Sequence, residues 1–224
     1  MYKVVKRLLD ILFALVALVI LSPILLVSMV ILLCTGEHEV FYFQKRVGYH
    51  NQPFFIWKFA TMLKNSPNIG TGTISVRNDP RVLPFGRLLR KTKINELPQI
   101  FNVLLGDMSI VGPRPLVPDG FNAYAPEVKA RVYNMHPGIT GIGSIVFRDE
   151  EKILSVSGGD LKQLYAELIM PYKGALEMWY QDHVSFMTDF KIIVLTAWAI
   201  LRPTSNLHHK WLKDLPVQPN SLKN

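Results

Sequence analysis

Between Arg87 and Asn102 the chain reads RLLRKTKINELPQIFN, with Arg87, Arg90, Lys91 and Lys93 crowded ahead of one carboxylate, Glu96, which sits beside Asn95. A solvated helix ordinarily intersperses the two signs, because like charges one turn apart repel. Cations gathered round a lone acid suit a polyanion and its metal: the cations neutralise the anion and the carboxylate holds a divalent ion. A basic surface helix is the plainer alternative. Charge is unevenly placed along the chain. Residues 1–118 hold 14 Lys/Arg and 6 Asp/Glu, the whole formal charge of +8, while residues 119–224 hold 11 of each. An anionic partner is therefore met by the first half.

Other chemistries are excluded by what the sequence lacks. There is no GxxxxGK[ST] phosphate loop, no HExxH and no GxSxG. Gly138, Gly141 and Gly143 do not make a GxGxxG fingerprint, and the adjacent His208 and His209 have poor spacing for a metal. The single cysteine, Cys34, allows neither an internal disulfide nor a cysteine zinc site. Nucleic-acid binding has to be weighed at this charge, with aromatic and basic residues mixed over 41–59. The apolar N-terminus argues against it, since a basic face beside a membrane meets lipid phosphate or an anionic substrate.

Several elements must position these residues. Residues 11–34, ILFALVALVILSPILLVSMVILLC, carry no charge and reach about 36 Å as a helix, enough for a roughly 30 Å hydrocarbon core. The run is too long for a signal peptide, and CTGEHEV is a poor cleavage site. Ser22 and Pro23 divide it into two halves of about 16 Å each. Pro23 removes an amide donor, and the Ser22 hydroxyl can satisfy the freed carbonyl. Lys3, Lys6 and Arg7 precede the run, and Lys45 and Arg46 follow it. Positive flanks on both sides place both ends in the cytoplasm. The pattern leaves open a kinked spanning helix and one that dips in and returns.

Beyond it, residues 40–59 predict a β-hairpin around a polar loop at 48–53, and 63–80 a loop. Apolar spacing predicts helix over 85–105, with Pro98 either kinking it or opening a new helix capped by Asn95. GDMSIVGPRPLVP (106–118) reads as turn, short strand and stiff loop, 119–135 as helix and HPGITGIGS (136–144) as a Gly-rich turn. An amphipathic helix is expected over 160–183. The run Ile192–Leu201 is too short to span, and is either an interfacial helix or a core one. The fold class is α+β, mainly helical.

In order along the chain stand Lys58 in WKFATM, NDPRV, FGRLLRKTKINELPQIFNVLLGDMSIVGPRP and HPGITG, behind an apolar helix interrupted by Ser-Pro. Over about Leu8 to Arg202 this resembles the bacterial sugar transferase family, the monotopic phosphoglycosyl transferases. The resemblance implies a re-entrant membrane helix (1–36) bent at Ser22-Pro23, a cytoplasmic catalytic domain (37–203) and a tail (204–224) expected to be disordered. It implies transfer of a sugar 1-phosphate from a UDP-sugar to undecaprenyl phosphate, releasing UMP, at the cytoplasmic face of the bacterial inner membrane. Surface glycan assembly starts at such a step. The reaction uses Mg²⁺ and an Asp-Glu pair, the Asp forming a phosphosugar intermediate and the Glu, here Glu96, binding the metal. Lys58, Arg87, Arg90 and Arg114 are the candidates for substrate phosphate, Arg being suited to bidentate contact.

Three positions depart from the family pattern: Asn95 replaces the Asp, Ala60 stands where an Arg is usual, and GIGSIVFRDEE follows PGIT. An amide is a far poorer nucleophile than a carboxylate. Asn95 is then a changed residue that traps substrate, or another carboxylate (Glu96, Asp149, Glu150 or Glu151) acts, or the lipid phosphate attacks directly. The remaining alternative is an inactive membrane scaffold that only holds nucleotide sugar or lipid phosphate.

Overall fold

The protein was analysed as a computed structural model that describes residues 2–69, 78–148, 165–202, 205 and 207–219. Helix α1 covers Tyr2–Cys34 and continues through Pro23. Proline at 23 leaves the carbonyl of Val19 without its amide donor, and the Ser22 hydroxyl donates to that carbonyl at 2.8 Å. One face is buried at Asp10, Ala14, Leu25, Ser28 and Leu32, positions three, four or eleven residues apart and so on one side of the helix. Its other faces expose Leu8, Leu12, Leu15, Val19, Leu26 and Val30. The most apolar 18-residue window has a mean hydropathy of 3.0 and is only 17% buried within the protein.

The charged start of α1 is bonded into the rest of the chain. Arg7 donates to the carbonyls of Val103 (2.7 Å) and Leu104 (3.2 Å), where helix α3 (Gln99–Leu105) leaves acceptors free. Asp10 accepts from the Ser109 hydroxyl at 2.7 Å and the Ile110 amide at 3.0 Å. Lys6 and Tyr2 both reach Asp189 at 2.6 Å.

Strands β1 (Phe41–Val47) and β2 (Pro53–Phe59) form the expected antiparallel hairpin, with Tyr42 opposite Lys58 and Arg46 opposite Phe54. Opposed residues share a face, so Arg46 and Lys58 project to the same side. The predicted 85–105 helix is broken in two. Helix α2 (Pro84–Thr92) ends at Lys93 in a left-handed conformation, a 3-10 turn covers Ile94–Glu96, and α3 begins after Pro98. Asn95 therefore does not cap α3; it lies inside the turn, because Pro98, fixed at a helical φ, takes the entry position. Asn102, 0% exposed, fastens α3 to β2 by accepting from the Trp57 amide (2.9 Å) and donating to the Phe55 carbonyl (2.8 Å).

Strand β3 (Ser109–Val111) pairs in parallel with β4 (Gly138–Thr140), so the HPGITG segment is a strand and not only a turn. The two backbones pack so closely that a Cβ on Gly138 would lie 2.1 Å from the Gly112 amide nitrogen. The predicted 119–135 helix resolves into α4 (Pro118–Asn122) and α5 (Pro126–Arg131). Helix α6 (Ile142–Val146) follows β4, and a π turn at Tyr165–Ile169 leads into α7 (Met170–Asp182). Helix α8 (Phe186–Leu201) is capped by Ser185, whose hydroxyl accepts from the Thr188 amide. It buries Ile192 and Leu195 on one face, as a core helix would, and exposes Phe190, Ile193 and Ile200 on the other. Beyond Arg202, where the sequence suggests disorder, helix α9 (Leu207–Trp211) forms and Leu212 is buried among Leu176, Tyr180 and Ile192.

Replacing Asn102 by Ala strands two buried backbone groups, so Asn102→Ala is expected to lower stability by about 3 kcal/mol. Denaturant unfolding in detergent measures this; a loss under 1 kcal/mol would mean that water reaches the α3–β2 seam.

Candidate active site

The corner between α2 and α3 pushes two side chains toward one cleft of about 2120 Å³. Asn95 is buried, and its Oδ1 has no hydrogen-bond partner among the described residues. Glu96 Oε1 is 3.2 Å from Lys58 Nζ, on β2, and 3.8 Å from Arg114 Nη2, on the loop after β3. Burial acts to raise the Glu96 pKa, but the charges of Lys58, Arg114 and Lys93 outweigh it and hold the carboxyl far below its usual range. Glu96 is thus an ionised oxygen donor throughout the neutral range.

The surrounding cations are themselves destabilised as charges. Burial lowers Lys58 to about 8 against the pull of Glu96, with Arg46 and Arg114 adding to the fall. Arg46 is lowered to about 10 by burial and by the Arg114 charge. Its guanidinium is fixed by the Pro115 carbonyl at 3.1 Å and by Gln44. Arg87 and Arg90 line the same cleft from α2, with Arg87 exposed and Arg90 half-buried. Among the described residues Lys58, Arg46 and Arg114 repel one another beside Glu96, so an incoming polyanion relieves repulsion already present.

For a divalent cation, the described residues offer no group of three or more His, Cys, Asp or Glu. They offer the Glu96 carboxylate and the unpartnered Asn95 Oδ1. Such a sparse oxygen set fits a hard ion that takes its other ligands from substrate phosphates and water.

Residues 1–203 match the family described as bacterial sugar transferase. The chain belongs to this family. It is similar to the uncharacterized sugar transferase EpsL of Bacillus subtilis, 35% identical over 198 residues that cover 88% of each chain. It is also similar to the exopolysaccharide production protein ExoY of Rhizobium meliloti, 33% identical over 75% of this chain and 82% of that one. A UDP-glucose:undecaprenyl-phosphate glucose-1-phosphate transferase of Klebsiella pneumoniae is 35% identical over 84% of this chain but only 40% of its own length.

Of the residues the sequence singled out in this sugar transferase, Lys58, Glu96 and Arg114 are in direct contact, and Asn95, Arg87 and Arg90 line the same cleft. Ala60 lies on the cleft wall and leaves it without a cation there. Ser22 and Pro23 are not among the residues lining the cleft. Asp149, Glu150 and Glu151 lie outside the described residues.

Two residues went unrecognised in the sequence. Arg46 was read only as a flanking charge. Glu177, 2% exposed on α7, accepts from the Arg114 amide at 3.3 Å through Oε1, while Oε2 has no partner among the described residues. Gly143 makes room for it: a Cβ there would sit 2.4 Å from Oε1. The Arg114 carbonyl is held in turn by the Tyr133 hydroxyl at 2.8 Å. The sequence signal was Glu177 standing beside Leu176 and one turn before Tyr180, on the apolar stripe of an amphipathic helix.

Burial raises Glu177 from 4.5 to about 7, partly offset by the Arg114 amide and by the Lys173 and Arg114 charges. The folded chain holds this proton more tightly than the unfolded one. Its stabilising contribution is complete below the ordinary value of 4.5 and is lost as pH rises through about 7. Stability should therefore decline across that window by a share on the order of 3 kcal/mol at most, and Glu177→Gln should flatten the decline. Denaturation at several pH values checks this; an unchanged slope would mean that Glu177 is solvated.

Proposed function

We propose that the protein transfers a sugar 1-phosphate from a UDP-sugar to undecaprenyl phosphate, releasing UMP, at the cytoplasmic face of the membrane. The observation that carries this is the ionised Glu96 held between Lys58 and Arg114 in a cleft that α1 itself helps to line. In this reading Arg114, Arg87 and Arg90 hold the diphosphate and stabilise the charge that builds on its oxygens, and Lys58 keeps Glu96 oriented. Glu96 and the Asn95 amide oxygen are the residues that would hold Mg²⁺. When bound, that ion would neutralise diphosphate charge and favour departure of UMP.

Of the routes that an amide at position 95 leaves open, direct attack by the lipid phosphate is the one taken in this reading. With an amide at this position, the acceptor phosphate oxygen attacks the sugar-bearing phosphorus directly. The bond from that phosphorus to the bridging oxygen breaks, and UMP leaves with the oxygen. The product is a polyprenyl diphosphate sugar. Relatives whose names specify undecaprenyl-phosphate sugar-phosphate transfer support the substrate pair.

The monotopic arrangement has a geometric support. Arg7 near the start of α1 and Leu32 near its end both pack on the body that carries the active site. A helix of this length is about 50 Å long, so a transverse crossing would draw that body across the bilayer with it. A re-entrant or surface-embedded α1, centred on Ser22-Pro23, keeps both ends on one side.

Purified protein with Mg²⁺, undecaprenyl phosphate and a panel of UDP-sugars should release UMP only when donor and acceptor are both present. Glu96→Gln should lower turnover by at least about 10²-fold; near-normal turnover would overturn its assignment. Asn95→Asp should release UMP without acceptor, in an amount limited by enzyme, if it restores a covalent route. UDP-sugar bound by the parent without any UMP release would favour the scaffold reading, which the amide at 95 alone motivates.

A further inference from the structure

The active-site cleft does not end at its cations. Besides Lys58, Arg114 and Glu96, its lining includes Phe13, Ala14 and Ala17 of α1, Thr196, Ala199 and Ile200 of α8, and Ile139 of β4. The two helices are drawn together at their N-terminal ends, where Tyr2 and Lys6 of α1 both bond Asp189 of α8 at 2.6 Å. Asp189 is also bonded by the Tyr180 hydroxyl at 2.6 Å, so this clasp is anchored to α7. Two to three turns further along, residues of both α1 and α8 line one cleft. Thr196 of α8 is held back against β4 by its 2.6 Å contact with Thr140.

Both walls are apolar and open to the side the bilayer would occupy. Phe13 is 46% exposed and Ile200 53%. The outward faces beside them carry Leu12, Val16, Ile193 and Leu201, also exposed. Ala17 and Ala199, both half-buried, are the small side chains of this lining. At about 2120 Å³ the whole cleft exceeds the roughly 300–1,000 Å³ of an ordinary small-molecule site. One space thus joins a cationic end to an apolar arm that opens between two lipid-facing helices.

We infer that the part of the cleft lined by α1 and α8 seats the first isoprenoid units of the acceptor, delivering its phosphate to the cationic end of the cleft straight from the bilayer. This rests on the transferase reading above and adds to it where the lipid enters and which residues select its chain. A branched apolar chain on an anionic head matches both ends of the space. The Lys6–Asp189 clasp then sets the closed end of the groove, and the opposite ends of the helices form its mouth.

The test uses the full chain in phosphatidylglycerol–phosphatidylethanolamine nanodiscs and a prenyl phosphate carrying a photoreactive diazirine on its second isoprene unit. Labelling is expected on segments 13–17 and 196–200, suppressed by excess undecaprenyl phosphate and not by undecaprenol or added phosphatidylglycerol. Ala17→Trp and Ala199→Trp should each lower kcat/KM for undecaprenyl phosphate about tenfold relative to a short, water-soluble prenyl phosphate. Label confined to outward residues such as Leu15 and Val19, or displaced equally by phosphatidylglycerol, overturns the groove while UMP release leaves the transferase reading intact. An unchanged long-to-short ratio in both variants overturns it as well. Absence of both labelling and UMP release would overturn the two readings together.

Discussion

Among the described residues, the Glu96 carboxylate is the negative charge that Lys58 and Arg114 share. Burial acts against these charges and mutual repulsion adds to it, and the lowered pKa values of Lys58 and Arg46 reflect both, burial first. The rest of the structure can be understood as fastening for this arrangement. Asn102 ties the strand that bears Lys58 to α3, Glu177 and Tyr133 grip the Arg114 backbone from both sides, and the left-handed residue Lys93 turns the chain so that Glu96 points inward. A site whose cations already repel one another is poised for a polyanion, because binding removes repulsion as well as adding attraction.

The membrane helix is a wall of the site and not a detached anchor. Arg7 and Asp10 replace with charged hydrogen bonds the acceptors and donors that α3 and β3 leave open, and Ala14 packs against Ile56, Ile100 and Val103. The same helix presents apolar side chains on its other faces. An enzyme joining a water-soluble donor to a lipid acceptor has to place both at one atom. Packing α1 directly on α3, the element that follows the Asn95–Glu96 corner, shortens the distance between them.

The sequence could be read furthest where the signal is local. The hairpin followed from β-prone residues on both sides of a polar loop, and Ser22-Pro23 showed which carbonyl would need a new donor. The crowding of Arg87, Arg90 and Lys93 before Glu96 announced a charged site. Reading failed where partners lie far apart in the chain. Asn95 looked like a helix cap, yet Pro98 sets the entry to α3 and leaves Asn95 inside a tight turn. The tail after Arg202 looked polar enough for disorder, but Leu212 completes the core around Leu176 and Tyr180. The HPGITG segment looked like a turn because its glycines permit one; they are also what lets β3 and β4 run backbone to backbone.

By itself the sequence determined the ingredients: an apolar helix long enough for the bilayer, a basic first half, and one acid set among cations. These are properties of composition and short spacing, and no folding is needed to see them. Only the tertiary structure decided which cations share the acid and that Glu177, 63 residues from Arg114, supports it from behind. It alone decided that α1 and α8 line the same cleft. Electrostatic and packing energies depend on distances in space, and a chain of this length reaches those distances only once its distant segments have closed on one another.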